Sequence, residues 1–242
     1  MSEKRARAEV RPYALGKAKL NPGDVVGDMS QVQKLVYLAG QMDSFEAGEW
    51  ADEVFDMRRH AYESAIEAEL ALYGCGGKAY ATTGPELRKM RQEANTVGAG
   101  IANTYNYWLA REIVAIGEDT PTANRHVYAH RLFYAEDNWA GSYWAGKQEV
   151  IGATETAIGA NWGLESFYRN NGGSLDDGGA EVVPYPTVCP VCASYVEGNP
   201  YKSMEDLYNK CMLPAHPHCP HFGTPIDPKR LSAGECAELW RG

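Results

Sequence analysis

Cys189-Pro190-Val191-Cys192 and, further along, His216-Pro217-His218-Cys219-Pro220-His221 gather thiol and imidazole side chains into two short clusters. Thiolate sulfur and imidazole nitrogen suit tetrahedral Zn2+, and a Cys-x2-Cys pair lets one tight turn present two sulfurs to one ion. The expected ligand set is Cys189, Cys192, His216 and Cys219, because His216 and Cys219 repeat the two-residue gap of the first pair. His221 is the alternative fourth ligand, and Cys211 a weaker one. A structural zinc site is closed by four protein ligands, whereas a catalytic one keeps a position for water. The surplus of donors therefore predicts a closed, structural site. A hydrolytic site would also want a carboxylate base beside the metal. Between the clusters only Glu197, Glu205 and Asp206 are available, and nothing in their spacing selects one.

Other candidates for chemistry are weaker. His126 and His130 have the His-x3-His spacing of a zinc protease helix, but Val127 stands where that motif needs its general-base Glu, so they read as polar-face or capping residues. Glu155 shares a helical line with Ile151, Ile158 and Trp162, where an unpaired charge is costly. It calls for a partner, and an Arg of a neighbouring helix such as Arg125 or Arg131 is the expected one; no second carboxylate is placed for paired acid/base work. There is no Gly-rich phosphate loop, nucleophile elbow or dinucleotide fingerprint. The chain is expected not to be an enzyme.

The elements that would carry these residues are mostly helical. From about Ser30 to Tyr73 the chain is rich in Ala, Leu, Glu, Gln and Met, which predicts one or two helices ended by Gly74-Cys75-Gly76-Gly77. Pro85-Glu86 after Thr83 opens a second helical stretch to about Ile116, and Thr120-Pro121 repeats the pattern. Tyr128, Leu132, Ala135, Trp139 and Tyr143 then form one helical stripe. A further helix is expected from about Lys147 to Asn170. On it Gly152, Thr156, Gly159 and Gly163 share a line, and interior glycines in a line predict another backbone packed very close. Asn171-Gly172-Gly173 to Gly178-Gly179 reads as a linker, followed by short β-branched, Pro-punctuated pieces such as Glu181-Val182-Val183-Pro184 and a short terminal helix from Ser232 to Trp240. The expected organisation is a basic arm over 1–27, a helical body over 28–174 and a zinc-binding module over 175–242. The expected fold class is mainly α, a helical body followed by a small zinc-stabilised α+β C-terminal module.

The 242 residues, 44% of them hydrophobic, are enough for a real core. The net charge is −9, yet the start of the chain is basic: Lys4, Arg5, Arg7, Arg11, Lys17 and Lys19 face only Glu3 and Glu9. Such an arm is either a solvated terminus or a tether to nucleic acid or an acidic surface, while the acidic remainder argues against a duplex-DNA reader. No apolar run approaches the roughly 20 residues of a membrane span, and the start lacks a signal-peptide core, which predicts no membrane partner and a protein made and kept in cytoplasm. Six cysteines without an export signal are expected to be reduced, with Cys75 and Cys236 as ordinary small, largely buried residues.

Read in order, the helix with Ala153-Thr154-Glu155-Thr156-Ala157, its aromatic end at Phe167-Tyr168, the Gly-rich break, Cys-Pro-x-Cys and His-Pro-x-Cys resemble the tailed-bacteriophage minor head protein family (head-morphogenesis, Mu F-like) over roughly residues 147–222. Two positions depart from that family: Ala153 stands where an Arg is frequent, and Cys219-Pro220-His221 where Cys-x-Cys is common. The resemblance implies a structural minor capsid protein that binds portal or major capsid subunits during head assembly and lies in the virion, at the head interior or portal vertex, after a stay in the host cytoplasm. It also makes the basic arm a candidate contact for packaged DNA. The rival reading is a zinc-dependent nuclease or transferase acting during infection.

Overall fold

The computed structural model describes residues 47–77, 82–119, 145–172, 178–186, 189–217 and 219–239, with 131, 134, 135, 138 and 175 besides. The basic arm, His126, His130, Arg125 and most of the Tyr128–Tyr143 stripe lie outside them. The described chain is mainly helical with one small sheet. Its elements run α1 (Ala47–Leu72), α2 (Gly84–Asp119), α3 (Ala145–Asn171), β1 (Ala180–Val182), α4 (Pro190–Glu197), α5 (Met204–Lys210), β2 (Gly223–Pro225) and α6 (Ala233–Glu238).

Turn chemistry sets the helix ends. After α1, Gly74 takes a positive φ of 82°, with the Cys75 amide on Leu70 O (2.7 Å) and the Gly74 amide on Ala71 O (3.0 Å), a Schellman closure that needs glycine at its left-handed position. At the start of α2, Glu86 receives the Thr83 amide (2.9 Å) and hydroxyl (2.7 Å) and, from other elements, Tyr62 and Ser166. Burial pushes this carboxyl up, and the donors around it outweigh that and hold it below the ordinary range. Ser232 and Glu235 form a reciprocal capping box on α6.

The chain divides into two compact units, one of residues 1–53 and 93–147, the other of 54–92 and 148–242. In the first, Gly98 of α2 meets the start of α1 so closely that a methyl there would lie 2.7 Å from Ala51 N. In the second, the residues after 175 share one core with the helices. Tyr62 and Ile66 of α1, Tyr73 in the turn after it, Met90 of α2, and Phe167 and Tyr168 of α3 cluster with Val182, Met204, Leu207 and Leu239. Residues on both sides of 175 belong to this second unit. The segment beyond residue 175 is too short to enclose its own apolar side chains and buries them against α1 and α3.

Within that unit α1 and α3 meet backbone to backbone. A methyl on Gly159 would stand 2.8 Å from Arg58 Cα, and one on Gly163 2.5 Å from Tyr62 O. Gly152, on the same line, is looser, its nearest neighbour being Met57 Sδ at 3.9 Å. This close approach decides the partner of Glu155. The buried carboxylate pairs with the buried Arg58 of α1, so its partner is an Arg of a neighbouring helix but a different one from those named; Arg125 lies outside the described residues, and Arg131 stands 3.9 Å from Asp119. Arg58 also lies 5.3 Å from the Trp162 ring centroid.

A second correction concerns the outlying cysteines. Cys75 and Cys236 form a disulfide, 161 residues apart in sequence with Cα atoms 5.4 Å apart. The turn after α1 places one, and the strap leading into α6, tied by Leu231 N–H to Tyr73 O (2.8 Å), places the other.

The sheet is minimal: β1 pairs antiparallel with β2 in the register Ala180↔Pro225, Glu181↔Thr224 and Val182↔Gly223. On its other side β1 exchanges hydrogen bonds with Tyr201 (3.0 and 2.7 Å), and the Asn199 amide side chain extends that ladder to Val182 N and O (2.8 and 3.0 Å). α5 packs beneath, so that a methyl on Gly223 would touch Leu207 Cδ2 at 3.0 Å. Among the described residues no helix is long and apolar enough to cross a membrane.

Candidate metal centre

The first cluster is built by a helix start. Cys189 is the N-cap of α4, Pro190 supplies the fixed φ of the first turn, and the Cys192 amide returns to Cys189 Sγ at 3.4 Å. The turn therefore aims both sulfurs to one side. The second cluster begins as a turn, with Cys219 N–H on His216 O (3.0 Å), and runs into β2, where Val183 N–H on Phe222 O (3.1 Å) joins it to the chain after β1.

These pieces bring Cys189, Cys192, His216, Cys219 and His221 together as two overlapping triads, Cys189–Cys192–His216 and Cys192–Cys219–His221, whose ligand atoms lie within 4.8 Å of one another. Cys192 Sγ is the shared vertex, 3.3 Å from His216 Nε2 and 3.7 Å from Cys219 Sγ, and Cys219 Sγ is 3.6 Å from His221 Nδ1. A tetrahedral ion with bonds of about 2.3 Å to sulfur and 2.0–2.1 Å to nitrogen separates two sulfurs by roughly 3.8 Å and sulfur from nitrogen by roughly 3.6 Å. The observed separations are close to those edges, so each triad taken by itself could hold a metal ion; Cys189 is grouped with His216 and Cys219 with His221, and Cys192 belongs to both.

Electrostatics points the same way. The Cys192 amide, set against some burial, holds the Cys189 thiol below its usual range, with His216 also favouring the thiolate. Burial and the facing thiols push Cys192 up to about 12. Buried sulfurs this close resist joint ionisation unless a cation balances them. His221, fully buried, is held low by its burial and by His216, so it stays neutral with a lone pair to offer.

Cys211 is elsewhere: it caps the end of α5 and its thiol donates to Tyr201 Oη at 3.1 Å. Asp206 is engaged by the Lys202 amide (3.2 Å) and Lys210 Nζ (2.8 Å), and neither triad contains a carboxylate. A separate hollow of about 260 Å³ is lined by Glu86, Lys89, Trp162, Glu165 and Arg169; Arg169 meets Glu165 at 2.8 Å, Lys89 lies over the Trp162 ring at 4.2 Å, and Glu86 is held by Thr83, Tyr62 and Ser166.

Two neighbours of the centre escape sequence reasoning. Tyr185 sets its ring against His221, centroids 5.7 Å apart, and Asn161 of α3 donates to Ala157 O (3.0 Å) and to His221 O (3.4 Å). Only the polarity of Asn161 beside Ile158 and Trp162 hints that it has a task. No family model, curated protein or solved structure matches the chain.

Proposed function

We propose that the chain is a non-enzymatic minor head protein of a tailed phage, binding portal or major capsid subunits during head assembly, with one zinc ion holding its C-terminal segment in a rigid contact surface. The observation that carries the reading is the donor set: thiol and imidazole alone make up both triads, and they outnumber the four positions of a tetrahedral ion. That favours a closed site, which stabilises, over an open one, which reacts. Three sulfurs with one imidazole select zinc over the hard cations bound by oxygen. The order of motifs from Thr154-Glu155 to His216-Pro217-His218-Cys219 supports the phage-head assignment, and the basic arm is suited to the anionic DNA packed behind a portal.

Intact virions, purified and analysed by quantitative mass spectrometry, are expected to contain the protein at a fixed low ratio to portal, and elemental analysis of the pure protein about one zinc per chain. Absence from washed virions would sink the head assignment. Metal-dependent nicking of plasmid DNA by the pure protein would replace it with a nuclease.

A further inference from the structure

Among the described residues the donors of the centre do not fall into one group of four. They fall into two groups of three, Cys189–Cys192–His216 and Cys192–Cys219–His221, which share only Cys192. The shared sulfur stands at the join, 3.3 Å from His216 Nε2 on one side and 3.7 Å from Cys219 Sγ on the other. Burial separates the groups as well. Cys189 and His216 are half-buried, whereas Cys192, Cys219 and His221 are all buried.

Charge decides how many ions such an arrangement holds. Either triad brings two thiolates and one neutral imidazole, so a single Zn2+ makes it electrically neutral. Two ions at once would set four positive charges against three thiolates, and neither triad contains a carboxylate to balance the excess. An unbalanced buried charge is costly, which favours one ion with two places to sit.

Local support ranks the two places. The inner triad is built into the fold: the His221 carbonyl receives the Asn161 amide of α3 (3.4 Å), Tyr185 sets its ring against the imidazole, and the next carbonyl, Phe222 O, receives Val183 N–H (3.1 Å). Donors that are shielded from water and already held in place bind an ion at little further cost. His216 has only its own loop behind it, with Nδ1 2.8 Å from Pro217 O. Fully buried donors do not meet a hydrated ion directly, so the half-buried pair meets it first.

We propose that the two triads are successive stations for one zinc ion: Cys189 and His216 receive it from solvent, Cys192 holds it throughout, and it comes to rest with Cys192, Cys219 and His221. The inference rests on the metal-site reading above and adds the route by which that site fills. Entry displaces the thiol protons of Cys189 and Cys192 to solvent. In the passage Cys219 gives up its proton as it binds and Cys189 regains one as it lets go, so no net proton is exchanged, and the bond to Cys192 spares the ion a step in which it is free. The donors in excess of four positions thereby acquire a task.

Uptake of Co2+ by the metal-free full chain in stopped flow, and stripping of Zn2+ from the loaded chain by a chromogenic chelator, test this. The wild type is expected to bind one Co2+ per chain. His216→Ala is expected to leave the equilibrium affinity within about 3-fold while slowing uptake and stripping alike by about 10-fold or more, since a change on the route alone affects both directions equally. His221→Ala keeps the outer station and is expected still to bind Co2+, about 10–100-fold more weakly and with shifted d–d bands. Cys192→Ser removes a donor from both stations and is expected to lose tight binding. His216 lies half-buried on a loop, so the deciding variant does not depend on a core substitution folding. Wild-type kinetics in His216→Ala, a loss of affinity there as large as in His221→Ala, two ions per chain, or no Co2+ binding by a His221→Ala chain of unchanged helical circular dichroism overturns the two-station route while leaving a metal site in place. A wild-type chain that binds neither cobalt nor zinc overturns the metal reading itself.

Discussion

Glu69 is a carboxylate in the core of the larger unit, 6% exposed, receiving the hydroxyl of Tyr168, which stands 3.4 Å from the Tyr73 hydroxyl. Burial pushes Glu69 up from 4.5 to about 7, the Tyr168 hydrogen bond offsetting only part of it. The native state therefore holds a proton that the unfolded chain releases at about 4.5, so this group favours folding least when both states are ionised. Stability is expected to fall as pH rises from about 4.5 to 7, by roughly 3 kcal/mol from this group alone. Urea midpoints between pH 5 and 8 check it: Glu69→Gln should flatten the slope and be more stable than wild type at pH 8, and an unchanged slope would show that Glu69 ionises at no cost. The contrast with Glu155 shows what is legible at this scale. Glu155 stands alone on a line of apolar side chains, so its need for a partner is readable; Glu69 sits in Glu67-Ala68-Glu69-Leu70, where nothing local says which carboxylate turns inward.

The line of glycines on α3 is the clearest link between sequence and packing among the elements. Its spacing predicts a close backbone neighbour, but not that the neighbour is α1 or that the approach centres on Gly159 and Gly163 and spares Gly152. Two helices crossing at an angle touch over only a turn or two, and one strand of sequence does not say where. The contrast is measurable. Gly159→Ala and Gly163→Ala are expected to destabilise by about 1–3 kcal/mol or more, since the new methyl meets backbone that cannot step aside. Gly152→Ala should stabilise by about 0.5–1 kcal/mol, because the space is there and only the entropic cost of a helical glycine is removed. The disulfide is a different case. Its cysteines carry no local pattern and are 161 residues apart, so only the tertiary meeting of the turn after α1 with the strap into α6 pairs them. Closing so long a loop takes roughly 4–5 kcal/mol of entropy from the unfolded chain in the chain-entropy account. Reduction of the wild type and the double change Cys75→Ser, Cys236→Ser should lower the urea midpoint equally, and reduction should do nothing further to the double variant.

At the scale of the molecule, composition changes near residue 175, but the buried core runs on across that point. The helical character of the body, both ligand clusters, the short strand and the terminal helix are all visible in residue types and spacings, because those are local preferences. What is not visible is that Met204, Leu207 and Val182 are buried with Tyr62, Ile66 and Phe167 in one core, since apolar residues do not record which partner buries them. That arrangement has a consequence for the metal. In a free-standing zinc module, withdrawing the ion unfolds the module alone. Here Cys189 caps α4, Cys192 lies buried in its first turn, and Asn161 ties the second cluster to α3, so the ligand turns and the shared core support each other. Chelation, or Cys192→Ser, is therefore expected to lower hydrogen-exchange protection in α1 from Tyr62 to its end and in α3 around Phe167 together with that in β1 and α5, as one cooperative unit. Exchange that accelerates only between residues 180 and 228, with α1 and α3 unmoved, would mean that the tail folds by itself and that the break in composition is also a break in stability.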